Sequence, residues 1–301
     1  MAWNAENFPR RAAGFRFQVC DFTNGAFRTA AAFDLPNPVR HKYSSWKPEP
    51  LPINRRRGGL QFEAVNFSKG AFVDEPWLSQ SGRPQLRTGY VALLQVKQDG
   101  LTLENWQVEQ ATVLDPTGNR INPRVPPSPS SSIGGFLVFG LPRELTPLWP
   151  SEDVWKIIPQ FTRTGGFASN ELFLLSAIPI PTANGVLTQI LARAEANGVS
   201  VAGVEMKLMG TSFWIQRIRQ NLQIEPFLAQ RRPDRHLSLF EVKDDRGRRL
   251  QHDQSYFNTD GKHFGIELLP DSKSLDLTFA VQEPVTVEYV VTFSPTSQET
   301  R

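Results

Sequence analysis

Two stretches of this chain carry the same punctuation. Leu51 to Gly70 (LPINRRRGGLQFEAVNFSKG) and Val186 to Gly210 (VLTQILARAEANGVSVAGVEMKLMG) each read as an apolar arm, a polar turn ending in Gly, an alternating arm and a closing Gly. The landmarks that follow keep one order. Tyr90 to Val96 matches Leu222 to Leu228, and LDPTGNRI (Leu114 to Ile121) matches KDDRGRRL (Lys243 to Leu250). GGFLVFGLP (Gly134 to Pro142) then matches KHFGIELLP (Lys262 to Pro270), and Asp153 to Phe161 matches Ser274 to Val281. One further apolar strand follows each copy. A duplicated pattern of this kind confines the 301 residues to two like units rather than one large core.

The units are β-rich. Phe15, Phe17 and Val19 alternate with Arg16 and Gln18, a period of two that buries one face of a strand. Short β-competent runs bounded by Gly, Pro or Asp recur at Leu60 to Val65, Gly89 to Lys97, Leu103 to Leu114, Phe136 to Leu141, Val154 to Phe161 and Glu171 to Ile178. They continue at Val199 to Leu208, His236 to Val242, Phe264 to Leu269, Leu275 to Val281 and Val285 to Phe293. Many short strands with turn signals between them predict a sandwich or barrel. Val186 to Asn197 is the one stretch with helical spacing, at Leu187, Ile190, Leu191 and Ala194. Asn197-Gly198 is also a strong hairpin signal. Local sequence leaves helix and strand open there, and the repeat favours the strand.

Each repeat spans about 110–130 residues with roughly seven strands, which suits an immunoglobulin-like sandwich. The expected fold is therefore all-β: two tandem immunoglobulin-like antiparallel β-sandwiches with an extra N-terminal β segment. The expected divisions are 1–38 for that segment, 39–182 and 183–295 for the sandwiches, and 296–301 for a tail, with the boundary near Pro181 to Gly185. The Asn24-Gly25 turn makes the first segment a hairpin, which cannot bury a core alone. It is read as strands added to the first sandwich or as the remnant of a neighbouring domain. A single cysteine, Cys20, rules out an intrachain disulfide, so apolar packing must hold both units. Cys20 itself is expected as a small buried hydrophobe.

The opening FDLPNP…WKPEPLP and the ending SLDLTFAVQEPVTVEYVV resemble those of uncharacterised bacterial tandem β-sandwich proteins with immunoglobulin-like architecture. The likeness runs from Phe33 to Phe293, and its motifs mark strands and turns, none of them catalytic. It implies a fold and an extracytoplasmic home behind a membrane anchor, but no activity. No run of ~18 apolar residues spans a bilayer, and MAWNAENFPRRAAGF lacks the apolar stretch of a signal peptide. The expectation is extracytoplasmic if a leader or anchor has been lost, and cytoplasmic otherwise.

Catalytic patterns fail one by one. There is no GxSxG, P-loop, GxGxxG or HExxH. The stretch from Tyr256 to Glu267, which includes the loop before His263, places Asn258, Asp260, Gly261 and Glu267 at calcium-loop offsets, but Tyr256 stands where the first carboxylate belongs. The carboxylate doublets Glu152-Asp153 and Asp244-Asp245 fall at turns, where Asp is ordinary turn chemistry. No cofactor or metal is expected.

Binding residues are easier to nominate. The formal charge is only +3, too weak for a nucleic-acid signal, yet Arg outnumbers Lys 24 to 9. Arg55, Arg56 and Arg57 sit together in one turn, Arg231, Arg232 and Arg235 precede a later strand, and Arg246, Arg248 and Arg249 follow it. Trp46, Trp77 and Trp149 lie beside prolines in connecting segments, where exposed rings stack sugars and covered ones cap a sandwich; Trp106, Trp155 and Trp214 lie in or beside strand runs, where core packing is the default. Arg55, Arg56, Arg57, Trp46, Trp77, Arg246, Arg248 and Arg249 are thus the candidate ligand or partner contacts. The leading expectation is a non-enzymatic structural or protein-interaction module, with a protein or glycan partner. Its alternatives are a carbohydrate- or anionic-polymer-binding module and, third, a carboxylate-dependent glycoside hydrolase.

Overall fold

The computed structural model describes residues 10–23, 26–37, 43, 45–74, 85–122, 135–139, 154–181, 186–212, 219–230, 232, 234–255, 263–292 and 294–295. Among the described residues, regular structure is all strand apart from one 3-10 turn at Ser169–Glu171. In chain order the strands are β1 (Gly14–Thr23), β2 (Ala26–Pro36), β3 (Ile53–Arg57), β4 (Leu60–Asp74), β5 (Gln85–Gln98), β6 (Leu101–Thr102) and β7 (Trp106–Leu114). Next come β8 (Arg120–Ile121), β9 (Gly135–Phe139), β10 (Val154–Arg163), β11 (Leu172–Pro179), β12 (Val186–Ala196), β13 (Val199–Ser212) and β14 (Arg219–Gln230). The last are β15 (His236–Asp244), β16 (His252–Ser255), β17 (His263–Leu268), β18 (Ser274–Gln282), β19 (Val285–Thr286), β20 (Tyr289–Thr292) and β21 (Ser294–Pro295). Contacts divide the chain into two compact units. The first is Met1–Phe161 with Thr286–Arg301, and the second is Thr162–Val285.

The first unit has two facing sheets. One contains β3, β4, β5 and β9, and the other joins β10 to β7 and β8. Period-two alternation sends Trp155, Ile157 and Phe161 of β10 inward, with Phe62 and Phe67 of β4 opposite them. The Phe62 and Phe161 rings lie 5.0 Å apart and those of Phe67 and Trp155 lie 5.9 Å apart, so the two inner faces interlock. The second unit repeats the plan. One sheet runs β12-β13-β14-β17-β16 and the other runs β11-β18-β15. Phe264 of the first meets Phe279 of the second edge-on at 5.6 Å, amid buried Met206, Ile224, Leu239 and Leu277.

The sequence repeat maps onto these pairings strand by strand. β3 pairs with β4, β4 with β5 and β5 with β9; β12 pairs with β13, β13 with β14 and β14 with β17. Val186 to Ala196 is a strand, and its two-residue turn explains why. Asn197 and Gly198 have φ of 47° and 74°, the left-handed pair that a tight right-twisted hairpin demands. Gly58 and Gly59, with φ of 54° and 81°, turn the equivalent hairpin between β3 and β4.

The strand following each repeat finds its partner in an unexpected order. β11 pairs with β18 of the second repeat, and β20 pairs with β10 of the first. The boundary read near Pro181 to Gly185 therefore falls between β11 and β12, both of which lie in the second unit. Pairing of β20 with β10 places Tyr289 and Val291 among the fully buried side chains of the first unit.

Candidate interaction surface

β1 and β2 form a two-stranded sheet that no other described strand extends. Their register puts Phe15 opposite Leu35, Phe17 opposite Phe33 and Val19 opposite Ala31, all six on one face. The other face carries Arg16 opposite Asp34 and Gln18 opposite Ala32. Arg16 grips Asp34 with two parallel bonds, Nε to Oδ1 and Nη2 to Oδ2, each 2.8 Å. That pairing raises the Arg16 pKa and lowers that of Asp34, although both side chains lie in solvent. The hairpin is thus amphipathic in the manner of a strand pair with one buried face.

That face is open. Phe17, Val19, Phe33 and Leu35 expose 48%, 47%, 53% and 51% of their surfaces. At about 200 Å² for a whole phenylalanine, they present roughly 350 Å² of contiguous apolar surface, the size that marks an interaction patch. Cys20, expected inside, is exposed on this hairpin, because a two-stranded ribbon has no interior to receive it. The base is held firmly. Buried Asn37 donates Nδ2–H to the carbonyls of Arg10 and Ala12 at 2.8 and 2.9 Å, and its N–H to Ala13 at 2.9 Å. A Cβ on Gly14 would stand 2.9 Å from the Leu35 carbonyl oxygen, so the strands begin in close backbone contact.

The nominated arginines are mostly committed within the fold. Arg55 bonds Glu49 through Nη2, donates Nε–H to the Glu288 carbonyl at 2.9 Å and stacks over Tyr289 at 5.7 Å. Its bond to Glu49 holds that carboxyl below its usual range. Arg248 reaches Asp271 at 2.7 Å and Asp244 through Nε at 2.7 Å, Arg246 pairs with Asp271, and Arg249 lies 2.7 Å from Glu241. Arg56 and Arg57 are exposed beside the β3–β4 turn. The structure thus divides the run of three: one pairs inside the unit and two point out. In the run before β15, Arg232 pairs with Asp234 and Arg235 with Glu283.

Trp46 is half-buried, with Lys156 Nζ 5.1 Å over its ring. Trp155 is core, and Trp106 meets Phe62 edge-on at 5.7 Å. Trp77, Trp149, Trp214, Arg231, the Glu152-Asp153 doublet and the 256–262 loop lie outside the described residues.

The remaining carboxylate doublet has a turn to hold. Asp244 is buried and accepts N–H bonds from Arg246 and Arg248 at 3.0 and 2.8 Å. Burial alone would raise its pKa; the Arg248 side chain and the two backbone donors outweigh that and hold it at about 2. Asp245 accepts the N–H of Lys273 at 2.9 Å. Among the described residues, no group of three His, Cys, Asp or Glu gathers as a metal site. No described helix is long and apolar enough to cross a membrane. Sequence reasoning passed over the hairpin face as a site; its signal was the Phe15-Phe17-Val19 alternation in a segment that has only two strands.

Comparison with family models, curated proteins and solved structures gives no match to this chain.

Proposed function

We propose that the chain is a non-enzymatic structural or protein-interaction module, built as two immunoglobulin-like sandwiches in tandem, that docks on a protein through its N-terminal hairpin. The single observation behind this reading is the exposed face of Phe17, Val19, Phe33 and Leu35 on a strand pair that no described strand covers. Alternation on that face is what a chain carries when the face is buried, and the chain supplies no cover for it among the described residues. The outer edges of β1 and β2 also offer backbone N–H and C=O groups, which suits β-addition to an open sheet edge. The partner that fits is a protein presenting such an edge beside an apolar groove.

A photocrosslinker at position 33, used in the cells that make the protein, identifies the partner. Binding is then measured with both proteins purified. Phe17→Ser with Phe33→Ser should weaken it at least tenfold while leaving the thermal midpoint unchanged. Equal affinities for the two forms would sink the reading. Glycan binding that falls with added salt and with Arg56→Ala would move the function to those exposed arginines instead.

A further inference from the structure

The edge of β10 is a built strand-binding slot, and its occupant arrives from beyond the second unit. β10 ends the first repeat, yet the strand that closes its edge is β20, which the chain reaches only after completing Thr162–Val285. The register is Val154 to Thr292, Trp155 to Val291, Lys156 to Val290 and Ile157 to Tyr289. The far edge of the same segment is also bonded: Glu49 N–H donates to the Val290 carbonyl at 2.9 Å, and Arg55 Nε–H to that of Glu288 at 2.9 Å. Lys156 Nζ holds the Glu288 carboxylate at 2.9 Å. Val287, Tyr289 and Val291 are buried at alternate positions, so the slot reads an extended strand with three apolar side chains pointing inward.

One feature of this occupant works against tight closure. Tyr289 is fully buried, and among the described residues its hydroxyl has no hydrogen-bond partner. A buried hydroxyl stripped of water and left unpaired destabilises the state that buries it. The segment before β19 is Glu283-Pro284, short and lacking regular structure, as hinges of exchanged strands are.

We propose that the segment from Val285 to Thr292 is an exchangeable closing strand, and that the β10 slot takes the same segment from a second copy of this chain, linking copies by reciprocal strand exchange. The occupant follows from the register already seen, because a second copy offers identical pairing and identical side chains. Exchange conserves every contact within the slot, so concentration and the opening rate decide between closed and exchanged forms. The unpartnered hydroxyl speeds opening. This proposal goes beyond hairpin docking and does not depend on it.

The test uses the full chain in a Cys20→Ser background with Val154→Cys and Thr292→Cys, which face each other across the pair. Oxidation joins them within one chain in the closed form and between two chains in the exchanged form. Protein held at high concentration in mild urea and then oxidised should yield covalent dimers on a non-reducing gel, in proportion to concentration. Association through the hairpin would leave this disulfide intrachain, so the two readings separate. Tyr289→Phe added to this background should slow dimer formation about tenfold. Intrachain bonds alone at every concentration, in protein with the parent circular dichroism, would overturn the proposal, and so would an unchanged rate for Tyr289→Phe. Should the cysteine variant not fold, native mass spectrometry of mixed heavy- and light-isotope natural chains decides: mixed dimers are expected, and their absence refutes exchange.

Discussion

Asp115 and Asp244 hold two copies of one turn in the same way. The Asp115 carboxylate accepts the N–H groups of Thr117 and Asn119 at 2.9 and 3.0 Å, and that of Asp244 accepts those of Arg246 and Arg248 at 3.0 and 2.8 Å. In both, the aspartate carbonyl takes the N–H of the turn glycine, Gly118 or Gly247, and the aspartate N–H reaches the carbonyl four residues on. Both carboxylates are buried. The duplication is therefore visible in hydrogen bonds as well as in strand order, and both aspartates are structural.

Asp115→Ala removes the acceptor of two backbone donors in a buried turn and should cost about 2–6 kcal/mol, since each unpaired buried group costs ~1–3. Asp115→Asn keeps one oxygen and should cost less. Urea denaturation followed by tryptophan fluorescence measures both, and equal stability of Asp115→Ala and the parent chain would show the turn to be held by other means.

Acid should loosen the second unit through Asp244. Its carboxyl sits at about 2 in the fold against an ordinary 3.8, so the folded state binds fewer protons than the unfolded chain between those values. A depressed carboxylate contributes stability in full above ~4–5, and that contribution is lost as pH falls through 3.8 toward 2. Asp244→Asn removes the charge and should flatten this part of the profile, though the variant is less stable at pH 7. Thermal midpoints at pH 6, 4 and 3 for both forms test it; parallel losses would assign the acid response to other groups.

Two neighbouring arginines should behave differently. Arg248 serves buried Asp244 with both its guanidinium and its backbone N–H, so Arg248→Ala leaves that carboxylate short of a donor and destabilises the unit. Arg249 is 78% exposed beside Glu241, and Arg249→Ala should change stability by less than about 0.5 kcal/mol. Chemical denaturation of the two variants side by side measures the contrast, which disappears if both pairs are ordinary surface pairs.

Strand order was readable in advance because burial imposes a period of two and tight turns need particular residues. Asn197-Gly198 and Gly58-Gly59 announce hairpins through the left-handed φ that they alone tolerate well, and this resolves Val186 to Ala196 as strand against its helical spacing. The destination of the closing strands was not readable. Leu172–Pro179 and Tyr289–Thr292 are both apolar and alternating, and alternation says which face is buried, not which neighbour pairs. Arginine pairing was hidden for a similar reason. Arg55 meets Glu49 nearby in sequence but also the carbonyl of Glu288, a partner that only the fold brings close. The hairpin face was legible as a pattern; that nothing among the described strands covers it was not.

Asn37 should control the hairpin independently of the cores. Its side-chain amide ties two carbonyls of the 10–13 segment, and its N–H a third, at the point where β2 leaves the pair. Beyond this base, β1 and β2 pair only with each other among the described strands, so their amides depend on one ladder and its anchor. Asn37→Ala removes two of the three bonds. Hydrogen exchange at Phe17, Val19 and Phe33 should quicken at least tenfold, while Leu94 and Val96, buried in β5, keep their protection. If all five amides quicken together, the hairpin is part of the first unit's cooperative core rather than an arm held at its base. If none does, the ladder stands without Asn37, and the stiffness needed to present Phe17 and Phe33 to a partner comes from cross-strand pairs such as Arg16 and Asp34.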